Sequence, residues 1–125
     1  MRFHQPETVD DALKLLADDE DARCIAGGAT LVAMMNAELV EPSALVSLRR
    51  IAALDGISVA DDGTVTIGSM TTHHALSGTE SLDDGQAIVR HAATVIGHPA
   101  IRNMGTIGGA IAHADPAADY PAALV

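Results

Sequence analysis

Cys24-Ile25-Ala26-Gly27-Gly28-Ala29-Thr30-Leu31-Val32-Ala33-Met34-Met35 holds a change of local structure within a dozen residues. Cys24 to Ala26 reads as a short apolar strand, and Leu31 to Met35 reads as a short helix with Thr30 near its start. Between them stand two glycines. Glycine lets the backbone adopt positive φ and lets a ligand approach bare amides. Strand, Gly-Gly, helix is the local geometry that aims amide N–H groups at an anion, above all phosphate. A second double glycine recurs at Thr106-Ile107-Gly108-Gly109-Ala110, again beside a hydroxyl residue. The two together suggest two jaws closing on one pyrophosphate.

The regions around these loops are expected to alternate helix and strand. Thr8 reads as the N-cap of a helix whose first turn carries Asp10 and Asp11, which suit the positive end of the helix dipole. Val9, Ala12, Leu13 and Leu16 share one face at i, i+3, i+4 and i+7. The run Asp18-Asp19-Glu20-Asp21 then ends the helix as a solvated face. Ala44 to Leu48 reads as a second buried strand. Beyond it Ile57 and Val59, then Val65 and Ile67, alternate with polar neighbours around Asp61-Asp62-Gly63, the pattern of a β-hairpin. Met70 to Leu76 begins a short helix with a Thr cap. A longer helix is expected from about Gly85 to Ile96, with Ile88, Ala92, Val95 and Ile96 as its stripe and Gly97 and Pro99 as its stop. Asp119 is placed to cap a last helix with Pro121 in its first turn. A chain stopping one turn into an apolar helix is expected to be a piece of something longer.

Composition narrows the function. The chain has 125 residues, 17 acidic side chains against 7 basic ones and a formal net charge of −10. A nucleic-acid binder needs a basic stripe, and an anionic membrane repels an acidic surface. Lys14 is the only lysine, so a Walker-type phosphate loop is excluded. Bound phosphate must therefore rely on backbone amides and helix N-termini, with Arg102 a candidate counter-charge whose alternative is a plain surface role. One cysteine, Cys24, excludes a disulfide framework and a Cys-rich metal motif, and reads as an inert core thiol. No apolar run follows Met1 to Pro6, and no stretch has the length of a membrane span, so a soluble cytoplasmic protein is the default.

At Ala26-Gly27-Gly28-Ala29-Thr30-Leu31, Ile101-Arg102-Asn103-Met104-Gly105-Thr106-Ile107-Gly108-Gly109 and Asp115-Pro116-Ala117-Ala118-Asp119, the chain resembles the FAD-binding (medium) subunits of molybdenum hydroxylases. Aerobic carbon monoxide dehydrogenase and xanthine dehydrogenase belong to this family. Phe3 to Leu16 and Ile67-Gly68-Ser69-Met70-Thr71-Thr72-His73 fit it as well, so the resemblance runs the whole chain. Where the carbon monoxide branch commonly has His-Ser after the first double glycine, this chain has Ala29-Thr30, which keeps a hydroxyl but departs from that branch.

The resemblance implies an α+β fold of the vanillyl-alcohol-oxidase (PCMH) type. Residues 1–53 would form a small α/β FAD-binding subdomain, and residues 54–125 the first part of a larger α+β subdomain. It implies non-covalent FAD in the cleft between them. Ala26, Gly27, Gly28, Ala29, Thr30 and Leu31 would hold the pyrophosphate from one side, and Thr106, Ile107, Gly108, Gly109 and Ala110 from the other. Asp119 would bond the flavin's polar tail, with helix capping as its second reading. The molybdenum cofactor and iron–sulfur clusters would sit on partners, a large molybdenum subunit and a small iron–sulfur subunit. FAD would then pass electrons from the clusters to an acceptor, and the redox chemistry would belong to the cofactor. No acid, base or nucleophile is assigned to this chain.

Two other functions compete with that one. One is a non-catalytic binding or assembly fragment of the same fold without cofactor. The other is a covalent flavin oxidase, for which His113 is the nearest attachment candidate. His113, Asp115 and Asp119 match no standard metal-ligand spacing. Met34 and Met35 read as packing near the cleft, and His73-His74 as one packing and one surface residue.

Overall fold

The computed structural model describes residues 1–125. The first third builds a three-stranded parallel sheet from β1 (Arg2–His4), β2 (Arg23–Ile25) and β3 (Ala44–Ser47), in the order β1-β3-β2. Phe3 pairs with Leu45 on one side of β3, and Cys24 with Val46 on the other. Parallel neighbours need crossovers, supplied by α1 (Val9–Ala17) and α2 (Ala29–Asn36). All four residues of the central strand are buried, as expected where both faces are covered.

Thr8 caps α1 by accepting the Asp11 amide at 3.1 Å. The buried face of α1 is rotated from the expected one. Ala12, Leu15 and Leu16 pack into a core with Ala22, Ala44, Val46 and Ile51, while Val9 and Leu13 face outward. The acidic run is also more than a solvated face. Asp19 accepts the Ser43 hydroxyl at 2.6 Å and pairs with the Arg2 guanidinium, tying the end of α1 to the strands. The Ser43 hydroxyl, then the Asp21 amide and Arg2, hold its carboxyl below the ordinary range.

Two single-turn 3₁₀ segments, Leu48–Arg50 and Ala52–Leu54, lead to the second half. There β4 (Ile57–Val59) and β5 (Val65–Ile67) pair as the expected antiparallel hairpin, with Ile57 opposite Ile67. Five helices follow: α3 (His73–Gly78), α4 (Ala87–Val95), α5 (Pro99–Met104), α6 (Ile107–His113) and α7 (Asp119–Ala123). α3 packs on α4, α4 on α7 and α6 on α7. Their core gathers Leu76, Leu82, Val89, Ala92, Ala93, Ile107 and Tyr120, with the hairpin's Ile57, Val65 and Ile67 against it.

Three expectations change in this half. The α4 stripe buries Val89, Ala92 and Ala93, whereas Ile88 and Val95 are 54% and 55% exposed. Helix α5 was not expected. Its Pro99 stands at the first helical position, where the ring's fixed φ is preorganised, so the proline that ends one helix starts another. Arg102 donates to the carbonyls of Ile96 and Gly97 at 3.1 and 3.2 Å, closing the end of α4, so its role is structural.

Candidate functional site

The sheet half and the helical half enclose a cleft of about 760 Å³. One wall is the segment from β2 into α2. Gly28 stands at the N-cap of α2 with φ +83°, a left-handed conformation that L side chains rarely adopt. The Ala26, Gly27, Gly28, Ala29, Thr30 and Leu31 amides donate to no acceptor in the protein, and all six residues line the cleft. Four of them are the orphan donors of a helix N-terminus and its cap, and the others extend the row. The strand and the two glycines thus end in a concavity of partial positive charge in a chain of net charge −10.

Gly27 carries a further constraint. A Cβ there would lie 1.7 Å from the Met104 carbonyl oxygen, so the first glycine run abuts the end of α5. A side chain at position 27 would push the two walls apart.

The opposite wall is built differently from the expected loop. Thr106 is the N-cap of α6, and Gly108 and Gly109 lie in its first turn. Its amides are already engaged. Ile107 donates to the Thr71 carbonyl at 3.0 Å, Gly108 to the Ser69 carbonyl at 2.9 Å and Ala110 to the Thr106 carbonyl at 3.0 Å. Gly109 donates to the Thr106 hydroxyl at 3.1 Å. Gly108 is needed because a Cβ would come within 2.6 Å of the Ser69 carbonyl oxygen. The His73 amide donates back to Gly105, zipping residues 69–73 alongside residues 105–108. Within the α6 turn itself this wall therefore offers close approach and shape, with the Ser69 and Thr106 amides its unpaired donors, while the longer row of free amides lies on the first.

The cleft brings together ten of the twelve residues singled out from the sequence: Ala26 to Leu31, Thr106, Gly108, Gly109 and Ala110. Ile107 turns its side chain into the helical core at 5% exposure. Asp119 is exposed as the first residue of α7, makes no capping bond and does not line the cleft. The cap position belongs to Ala118, which does line it. His113 and Asp115 stand on the wall too, at the far end of α6.

Sequence reasoning missed Ser69, Met70 and Gly105 as wall residues. Their signal was present: Ser69 and Met70 lie in the segment 67–73 already matched to the family, and Gly105 directly precedes Thr106. Arg23 and Cys24 line the cleft from β2. Cys24 is exposed rather than a core thiol, although desolvation by its surroundings raises its pKa. An edge strand of three residues has one face toward the cleft, which the apolar run could not reveal.

A cleft between two layers, with a strand–glycine–helix turn of unpaired amides at its rim, defines a domain suited to binding a phosphate-bearing ligand. The chain belongs to the family described as the FAD binding domain in molybdopterin dehydrogenase, which matches residues 1–125. It is 45% identical over 124 residues to the carbon monoxide dehydrogenase medium chain of Afipia carboxidovorans, covering 98% of this chain and 42% of that one. It is 43% identical over 120 residues to the 6-hydroxypseudooxynicotine dehydrogenase complex subunit alpha of Paenarthrobacter nicotinovorans, covering 95% of this chain and 40% of that one. Its fold is similar to carbon monoxide dehydrogenase from Hydrogenophaga pseudoflava lacking the Mo-pyranopterin moiety, with a TM-score of 0.93 and 38% identity over 98% of this chain and 42% of that one. The chain thus spans about 40% of the length of these relatives.

Proposed function

We propose that this chain is the FAD-binding part of an electron-transfer subunit in a cytoplasmic molybdenum-containing oxidoreductase. The observation that carries this reading is the row of six unpartnered amides from Ala26 to Leu31 on the cleft wall. The uncapped first-turn amides of α2, continued by those of Ala26 and Gly27, line the cleft and suit an acceptor-rich ligand. A pyrophosphate fits there without a lysine, and the apolar remainder of the cleft suits the rest of a dinucleotide. FAD bound there without a covalent tether would take electrons from iron–sulfur clusters on a small subunit and hand them to an acceptor. A large molybdenum subunit would supply those electrons from substrate. This chain's residues bind and orient the cofactor. Two separate cores support a small FAD-binding unit over 1–53 and the start of a second over 54–125. Ile107 would contribute by positioning the α6 turn, and Asp119 would reach the flavin's polar tail only across Ala118.

The test is FAD titration of the chain by quenching of flavin fluorescence, alongside Thr30→Asp. Thr30 is exposed in the first turn of α2, where a carboxylate favours the helix dipole. The expected outcome is saturable FAD binding that Thr30→Asp weakens at least about tenfold by like-charge repulsion, with thermal stability held or raised. Equal affinity in the variant, or no binding by the unaltered chain, would overturn the reading. Flavin released into the supernatant on acid denaturation is the result expected of a non-covalent site.

A further inference from the structure

His73 opens α3 and Tyr120 lies in the first turn of α7, with His73 Nδ1 and the Tyr120 hydroxyl 2.8 Å apart. Both are buried, at 4% and 1% exposure. Packing accounts for that burial, but it does not require the hydrogen bond or explain why His73 also reaches the cleft wall.

The proton positions follow from the partners. The Tyr120 hydroxyl has Nδ1 as its only partner. Burial, with the Asp119 carboxylate adjacent, pushes the phenol's pKa up, so it keeps its proton. A buried O–H needs an acceptor, and Nδ1 is the one in reach. Tyr120 therefore donates and Nδ1 accepts. Burial also lowers the His73 pKa, favouring a neutral ring, and a neutral imidazole that accepts at Nδ1 carries its proton on Nε2. Nε2 lies beside Gly105, where a Cβ would come within 2.7 Å of it. It makes no hydrogen bond within the protein, yet no side-chain nitrogen or oxygen is both sealed from solvent and unpaired. The Nε2–H therefore opens to the cleft that His73 lines.

We propose that His73 is a binding residue of the cleft, in which Tyr120 fixes the ring tautomer and Nε2–H donates a hydrogen bond to an acceptor atom of the bound flavin dinucleotide. The inference rests on the FAD reading above. It also adds a side-chain donor to the second wall, where the amides of Ile107, Gly108, Gly109 and Ala110 are engaged internally.

The test combines imidazole ¹⁵N NMR of the histidine-labelled chain with FAD titration of Tyr120→Phe and His73→Phe. Before FAD is added, the His73 ring is expected to carry its proton on Nε2. On titration its Nε2–H resonance shifts. Tyr120→Phe, which keeps the ring shape, weakens FAD binding about three- to tenfold, the worth of one neutral hydrogen bond, and His73→Phe weakens it at least as much. A proton found on Nδ1 in the free chain overturns the proposal before any FAD is present. FAD binding with an unmoved Nε2–H and unchanged Tyr120→Phe affinity overturns it while leaving the FAD reading intact. Absence of FAD binding by the unaltered chain overturns both.

Discussion

At Gly28 a φ of +83° turns the chain from strand to helix and leaves the following amides unpaired. An L residue in that conformation costs about 1–2 kcal/mol, so Gly28→Ala is expected to lower unfolding free energy by that amount in urea. Gly63, in the hairpin turn, has a similar φ of +84° with open space around it. Gly63→Ala should cost about as much in stability. Only Gly28→Ala should weaken FAD binding, because a Cβ there also meets Val32 and Ile25 at 3.3 and 3.4 Å. Equal FAD affinities in the two variants would refute the role given to the first glycine run. At this scale the sequence was informative: glycines, cap residues and the amide row follow from residue chemistry within a few positions. What it hid was the state of the second run, because the acceptors for Ile107 and Gly108 are carbonyls more than thirty residues away.

Most elements were legible in type and order, β1, α5 and α6 excepted, but less so in orientation. Both capped helices, the hairpin and the central strand lie where periodicity and turn residues put them. The buried faces of α1 and α4 do not, because several phases of an alanine- and leucine-rich helix are apolar enough to bury. Packing selects the phase: α3 and α7 close on Val89, Ala92 and Ala93 and leave Ile88 outside. Replacing the buried Val89 by Ala is accordingly expected to cost about 1–3 kcal/mol, and the exposed Ile88 by Gln less than about 0.5 kcal/mol, both read by chemical denaturation. The reverse order would mean that the sequence-derived stripe is the buried one. Helix α5 escaped notice because Gly97 and Pro99 read as a stop, and a stop two residues before a proline can equally precede a new helix.

Across the whole molecule, two cores meet at a seam where Gly27 touches the Met104 carbonyl and the cleft opens. The buried His73–Tyr120 pair spans the helical half, and it ties stability to pH. His73 has a folded pKa below its ordinary value of 6.5. Its contribution is therefore fully present above pH 6.5 and is lost as pH falls from there toward the folded pKa, because the unfolded chain takes up the proton first. The melting temperature should decline as pH is lowered from about 8 to about 5, and His73→Gln should flatten that slope. A slope unchanged by the substitution would place the titrating group elsewhere. Asp19 acts lower on the scale, its contribution fading only as pH drops below the carboxylate value of 3.8. By itself the sequence determined many of the elements, the glycine turn, the acidic lysine-poor character and the family, because each depends on residue type at short spacing. Only the tertiary structure decided which helix faces are buried, which of the two glycine runs keeps its amides free, and that His73 meets Tyr120 at the cleft. Those outcomes depend on partners brought together across the chain by packing, and no local pattern encodes them.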